Sequence, residues 1–100
     1  MEHHTRKLVT VVTEASIEHK LADEFEKLGA HGYTITDARG KGARGVRDAS
    51  FEFEANVRIE VICDDTVARA IIDHLKEHYF ANYAMIWFMS EVEVLRPTKF

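Results

Sequence analysis

Residues 55–63 read ANVRIEVIC, an alternation that sends Val57, Ile59, Val61 and Cys63 to one face of a strand and Arg58 and Glu60 to the other. Directly behind it the period changes. Asp64 and Asp65 are residue types that cap helix N-termini, and Ala68, Ile71, Ile72, Leu75 and Tyr79 then recur at helical spacing. A strand therefore runs straight into an amphipathic helix. The first part of the chain shows the same succession. Residues 7–13 (KLVTVVT) are rich in β-branched side chains, and Ile17, Leu21, Phe25 and Leu28 then mark one face of a helix over 16–28. Gly29 stands where a left-handed C-terminal cap belongs. Residues 31–38 (HGYTITDA) give a second strand, and a last one runs from about 84 to 95, with Pro97 marking its end. The order βαββαβ is that of the ferredoxin-like α+β sandwich.

The chain has 100 residues, enough for one domain over 1–100 with a core of its own. Apolar residues make up 46% and charged residues 30%, the balance of an ordinary globular protein. No apolar run approaches the length of a membrane span, and the start MEHHTRK does not read as a signal peptide. The one cysteine, Cys63, suits a reducing compartment, so a cytoplasmic location is expected. A net charge of −4 argues against nucleic-acid binding, which needs an extended basic face.

Against that acidic background, the connection over 39–54 is an anomaly. It is much longer than a usual hairpin loop, and it opens with Arg39, Lys41, Arg44 and Arg47 interleaved with Gly40, Gly42 and Gly45. Glycines let backbone N–H groups turn inward, and the cations supply charge-assisted donors to an oxyanion. Composition alone leaves two readings open, an anion-binding loop and a solvated flexible one. The last strand carries a second anomaly. Residues 84–89 (AMIWFM) are apolar without alternation, so both faces of that strand call for cover. Two helices cover one face of a four-stranded sheet. A second copy of the chain is the simplest cover for the other, with some of Trp87, Phe88 and Met89 in the interface.

The runs GYTIT, then GKGARGVR from Gly40 to Arg47, then ANVRIEVI and NYAMIWF together resemble the PII-like signalling family. The similarity is to its branch linked to inorganic carbon, which contains the carboxysome-associated PII proteins and the regulators of bicarbonate transporters, and it spans most of 8–95. The resemblance implies a homotrimer that binds AMP, ADP or ATP in clefts between subunits and reports through a long T-loop, here 39–54, to a target protein. Matched by position, Thr34 would contact the adenine, and Ile62 and Cys63 would line the base pocket. Thr13 and Glu14 would lie near the ribose and base, with Ala84, Met85 and Ile86 on the opposite side of the cleft. Gly40 and Gly42 would let the backbone approach the nucleotide, while Lys41, Arg44 and Arg47 would hold its phosphates and a bicarbonate beside them. The target would be a bicarbonate transporter or a carboxysome-related protein. Arg44 replaces the glutamine with which nitrogen-regulating members help bind 2-oxoglutarate through magnesium. Residues 80–85 also lack the Lys and Gly that help typical members hold a triphosphate, so AMP and ADP are expected to bind at least as well as ATP.

Two other readings compete. His74 and His78 share a helical face and would suit a divalent ion, as in the copper-tolerance trimers of the same fold. A structural metal site wants four ligands, however, and no cysteine or acid is obviously convergent with the pair. An enzyme would need a general base, and Glu14 and Glu60 qualify only by residue type. Cys63 has no activating pattern around it and reads as a small apolar residue. A weak nucleotide phosphatase activity is the most that this reading allows. The expected function is therefore non-catalytic, without catalytic cofactor or resident metal.

Overall fold

The computed structural model describes residues 4–40 and 55–100. Its elements are β1 (His4–Glu14), α1 (Glu18–Lys27), β2 (Thr34–Ala38), β3 (Asn56–Cys63), α2 (Asp65–His78) and β4 (Met85–Val94). A 3-10 turn over Ala15–Ile17 leads into α1, and another over Pro97–Lys99 follows β4. The four strands form one antiparallel sheet in the order β2-β3-β1-β4. This is the ferredoxin-like arrangement, with the two helices on one face.

Residue parity sorts the side chains. Val9 and Val11 of β1 and Val57, Ile59, Val61 and Cys63 of β3 point to the helices, where they meet Leu21 and Phe25 of α1 and Ile71 and Leu75 of α2. Even-numbered strand residues occupy the helix-free face. β1 runs three residues further at its N-terminal end than residues 7–13, because His4, Thr5 and Arg6 pair with Val94, Glu93 and Val92. β2 is shorter than 31–38. It begins at Thr34, and residues 31–33 stay outside the ladder.

The unalternating run in β4 has a divided fate. Met85 is in the core, while Trp87 and Met89 pack against it beneath the helices, with Lys76 Nζ 5.6 Å from the Trp87 ring centroid. Ile86 and Phe88 lie on the open face, 53% and 46% exposed. Of the three residues expected at an interface, only Phe88 faces away from the helices, and Ile86 joins it.

Helix ends follow local chemistry. Asp64 Oδ1 accepts the Val67 N–H at 2.8 Å and caps α2. α1 ends in a Schellman motif, in which the Ala30 N–H donates to Phe25 O and the Gly29 N–H to Glu26 O, with Gly29 at φ 115°. No helix among the described residues is long and apolar enough to cross a membrane.

Candidate functional site

On the helix-free face, near the start of β2, lies a cavity of about 400 Å³. Its floor comes from the even positions of three adjacent strands: Leu8 of β1, Thr34 of β2, and Glu60 and Ile62 of β3. Register brings them together, since Thr34 and Thr10 both stand opposite Glu60 and Leu8 stands opposite Ile62. The lead-in residues His31, Gly32 and Tyr33 form one side, and Lys99 and Phe100 form another. The second side is held in place by Arg6, whose Nη2 donates to Pro97 O at 3.3 Å. Glu60 also pairs with Arg58 Nη2 at 3.5 Å. The cavity therefore combines aliphatic, aromatic, acidic and cationic groups.

A second constellation sits at the other end of β1. Thr13 Oγ1 donates to Ala84 O at 3.1 Å, and the Ala84 N–H donates to Glu14 Oε2 at 3.3 Å. The Ala15 N–H donates to Ala55 O at 2.9 Å, which ties this end to the start of β3. Ala38, the last residue of β2, stands opposite Asn56, which in turn stands opposite Glu14. The two ends of the 39–54 connection thus leave the sheet beside Thr13, Glu14 and Ala84. Leu8 is five residues from Thr13 on one strand, and Thr34 and Glu60 stand level with Thr10, three residues from it, so the two constellations are separated by roughly 10–17 Å at 3.4 Å per residue.

These placements divide the residues expected to bind nucleotide. Thr34 and Ile62 meet in the cavity, whereas Thr13, Glu14 and Ala84 meet at the far end of β1. Ile86 is exposed on the open face, whereas Thr13, 1% exposed, and Met85 are buried on the helix side, so against expectation neither side chain is placed to meet a ligand. Among the described residues, nothing lies within 4 Å of a Cβ placed on Gly40. Lys41, Gly42, Arg44 and Arg47 lie outside the described residues, as does most of the T-loop segment.

Cys63 requires a correction. Its side chain is 1% exposed in the core on the helix side, so the sheet separates it from the cavity that Ile62 lines. Successive strand residues point to opposite faces, and two neighbours cannot both line one pocket from the same face. Burial, with Asp64 and Asp65 nearby, pushes the Cys63 thiol up to about 11, which leaves it unreactive.

Sequence patterning does not single out Leu8, Glu60, Lys99 or Phe100 as cavity residues. The parity that places Arg58 and Glu60 opposite Val57 and Ile59 also assigns Glu60 and Ile62 to one face. The fold-back of Lys99 and Phe100 carries no such signal, because it depends on a contact between Arg6 and Pro97 at opposite ends of the described chain.

The histidine pair is engaged elsewhere. His74 Nε2 donates to Glu24 Oε1 at 2.5 Å, and its ring lies 4.6 Å from that of His78. No group of three or more metal-ligating side chains converges among the described residues.

A family model described as nitrogen regulatory protein P-II matches residues 6–99. The chain belongs to the P-II family. Among solved structures, this P-II protein is similar to a PII-like signaling protein from Thermus thermophilus, with 44% sequence identity and a TM-score of 0.85 over 100% of this chain and 99% of that one. It is also similar to CPII from Thiomonas intermedia bound to ADP, AMP and acetate, with 21% identity and a TM-score of 0.87 over 100% and 98% of the two chains. The same CPII bound to ADP and bicarbonate matches with 20% identity and a TM-score of 0.84 over 98% and 96%. At such identities the likeness to CPII is one of fold.

Proposed function

We propose that this P-II protein is a non-catalytic cytoplasmic sensor that binds adenine nucleotides and bicarbonate in clefts between the subunits of a homotrimer. Its T-loop reports their state to a target protein. The observation that carries the reading is the split of the site. Thr34 and Ile62 stand in a cavity of nucleoside size, while Glu14 and Ala84 belong to a second polar cluster roughly 10–17 Å further along β1, where the 39–54 connection leaves the sheet. A cleft between neighbouring copies, with each copy supplying a different cluster, unites them.

The roles follow from chemistry. Thr34 offers a hydroxyl to the base edge, and Ile62 gives it an apolar floor. Ala84 and Ile86 approach from the neighbouring copy. The glycines Gly40 and Gly42 suit a close approach of phosphates, which Lys41, Arg44 and Arg47 neutralise. The same cations take a planar bicarbonate, for which the guanidinium fork is the matching donor. Without an anion they repel one another, so ligand binding shifts the loop toward one form and changes what Phe51 and Phe53 present to a partner. The bicarbonate-bound and ADP-bound CPII structures lend the reading support by likeness of fold.

Isothermal titration of ADP into the purified protein, with and without bicarbonate, tests it. Micromolar binding that bicarbonate tightens and Arg47→Ala abolishes is the expected result, with AMP and ADP at least as tight as ATP. Binding indifferent to bicarbonate reduces the protein to an adenylate sensor, and no binding removes the reading.

A further inference from the structure

Two aromatic rings in the cavity have no assigned role. Tyr33 is 42% exposed and lies one residue before Thr34, whose position is fixed by its pairing with Glu60. Phe100 lines the cavity from another segment altogether. It is held there by the 3-10 turn over Pro97–Lys99, in which the Phe100 N–H donates to Pro97 O at 3.1 Å and the Lys99 N–H to Arg96 O at 3.1 Å. Arg6 fastens that turn to the sheet through Pro97 O. Neither ring contributes to the buried core, so packing does not account for either.

We infer that Tyr33 and Phe100 are the base-selecting residues of this cavity, providing aromatic surface on which the flat ring of a purine nucleotide stacks. The inference rests on the nucleotide-binding reading above and assigns its base specificity. Leu8 and Ile62 supply a floor that favours an apolar, planar group over a sugar or phosphate. Stacking does not depend on a hydrogen-bond pattern and grows with ring area, which favours a two-ring base over a pyrimidine. Glu60 and Thr34 then read the polar edge, the carboxylate accepting from a base amino group or a ribose hydroxyl. Arg6 is a positioning residue, since it reaches the cavity only through the turn it pins.

The test is calorimetry with ADP on the wild type, Tyr33→Ala, Phe100→Ala and Tyr33→Phe, combined with nuclear Overhauser measurements on the wild-type complex. Each alanine variant is expected to bind ADP roughly tenfold more weakly, and Tyr33→Phe to rescue the loss. The adenine H2 and H8 protons are expected to show cross-peaks to the rings of both Tyr33 and Phe100, a signature that an indirect structural role would not give. Both side chains lie outside the core, and unchanged melting temperatures would show that the variants fold. A wild type that binds ADP while both alanine variants match it within twofold, or a complex without those cross-peaks, overturns the inference and leaves the nucleotide reading standing. A wild type that binds no ADP overturns both.

Discussion

Glu24 is one carboxylate that joins two helices. Its Oε1 accepts from His74 Nε2 and, at 2.7 Å, from Tyr79 Oη, so α1 is tied to the C-terminal end of α2. An ionised carboxylate only accepts, which fixes both partners as donors. Burial by itself would raise its pKa. The hydrogen bonds from His74 and Tyr79, with the charges of His74 and Lys20, outweigh that and lower it below the ordinary value of 4.5. The Tyr79 hydroxyl moves the other way, upward, through burial first and then through its bond to Glu24. Because folded Glu24 holds its proton more weakly than unfolded Glu24, its contribution is complete above about pH 5 and is lost as pH falls through the depressed folded value. Glu24→Gln is therefore expected to cost about 1–2 kcal/mol at pH 7, a drop of several degrees in Tm. Between pH 6 and pH 3 its Tm should fall less than that of the wild type. Thermal melts across that range check the point, and parallel curves for the two proteins would refute it.

At the scale of elements, the parts that read clearly from sequence are those whose side chains obey a single period. β3 and α2 are placed almost to the residue, since one face of each is buried throughout. β2 is overextended at its start because His31, Gly32 and Tyr33 look strand-like, yet they line the cavity instead of pairing. β4 is read as needing cover on both faces, and within one chain the helices cover Trp87 and Met89 and leave Ile86 and Phe88 open. Part of the candidate site is thus legible through Thr34 and Ile62. The rest depends on three strands and a distant turn meeting in space, a matter of register that no local pattern encodes. The end of α1 shows the opposite case, a local rule with a tertiary consequence. Gly29 has φ 115°, a conformation that L side chains rarely adopt, and a Cβ added there would lie 3.0 Å from Val67 Cγ2. Gly29→Ala meets both backbone strain and crowding against α2, so a loss of about 1–3 kcal/mol is expected from urea unfolding with an unchanged m-value. A variant as stable as the wild type would mean that the turn relaxes freely.

For the whole molecule, the sheet has one covered face and one open face, and the open one carries Ile86 and Phe88 beside Thr10. Thr10 is 0% exposed, and its Oγ1 has no hydrogen-bond partner among the described residues. A fully buried hydroxyl left unpaired is costly, and large apolar side chains left in water forgo burial energy. Ile86 and Phe88 are the side chains on this face that association would bury. On the function proposed above, the separation of Glu14 and Ala84 from the cavity gives association a second consequence, since a neighbouring copy would bring that cluster to the cavity of another. Assembly and ligand binding should therefore fail together. Phe88→Asp places a charge on the open face, away from both helices, at a residue that does not itself line the cavity. Light scattering is expected to give a trimer mass for the wild type and a monomer mass for the variant, with the circular dichroism of the fold retained. ADP affinity should fall at least tenfold in that monomer although every cavity-lining residue is unchanged. A folded monomer that bound ADP as well as the wild type would show that one chain suffices, and the split site would then need a different explanation.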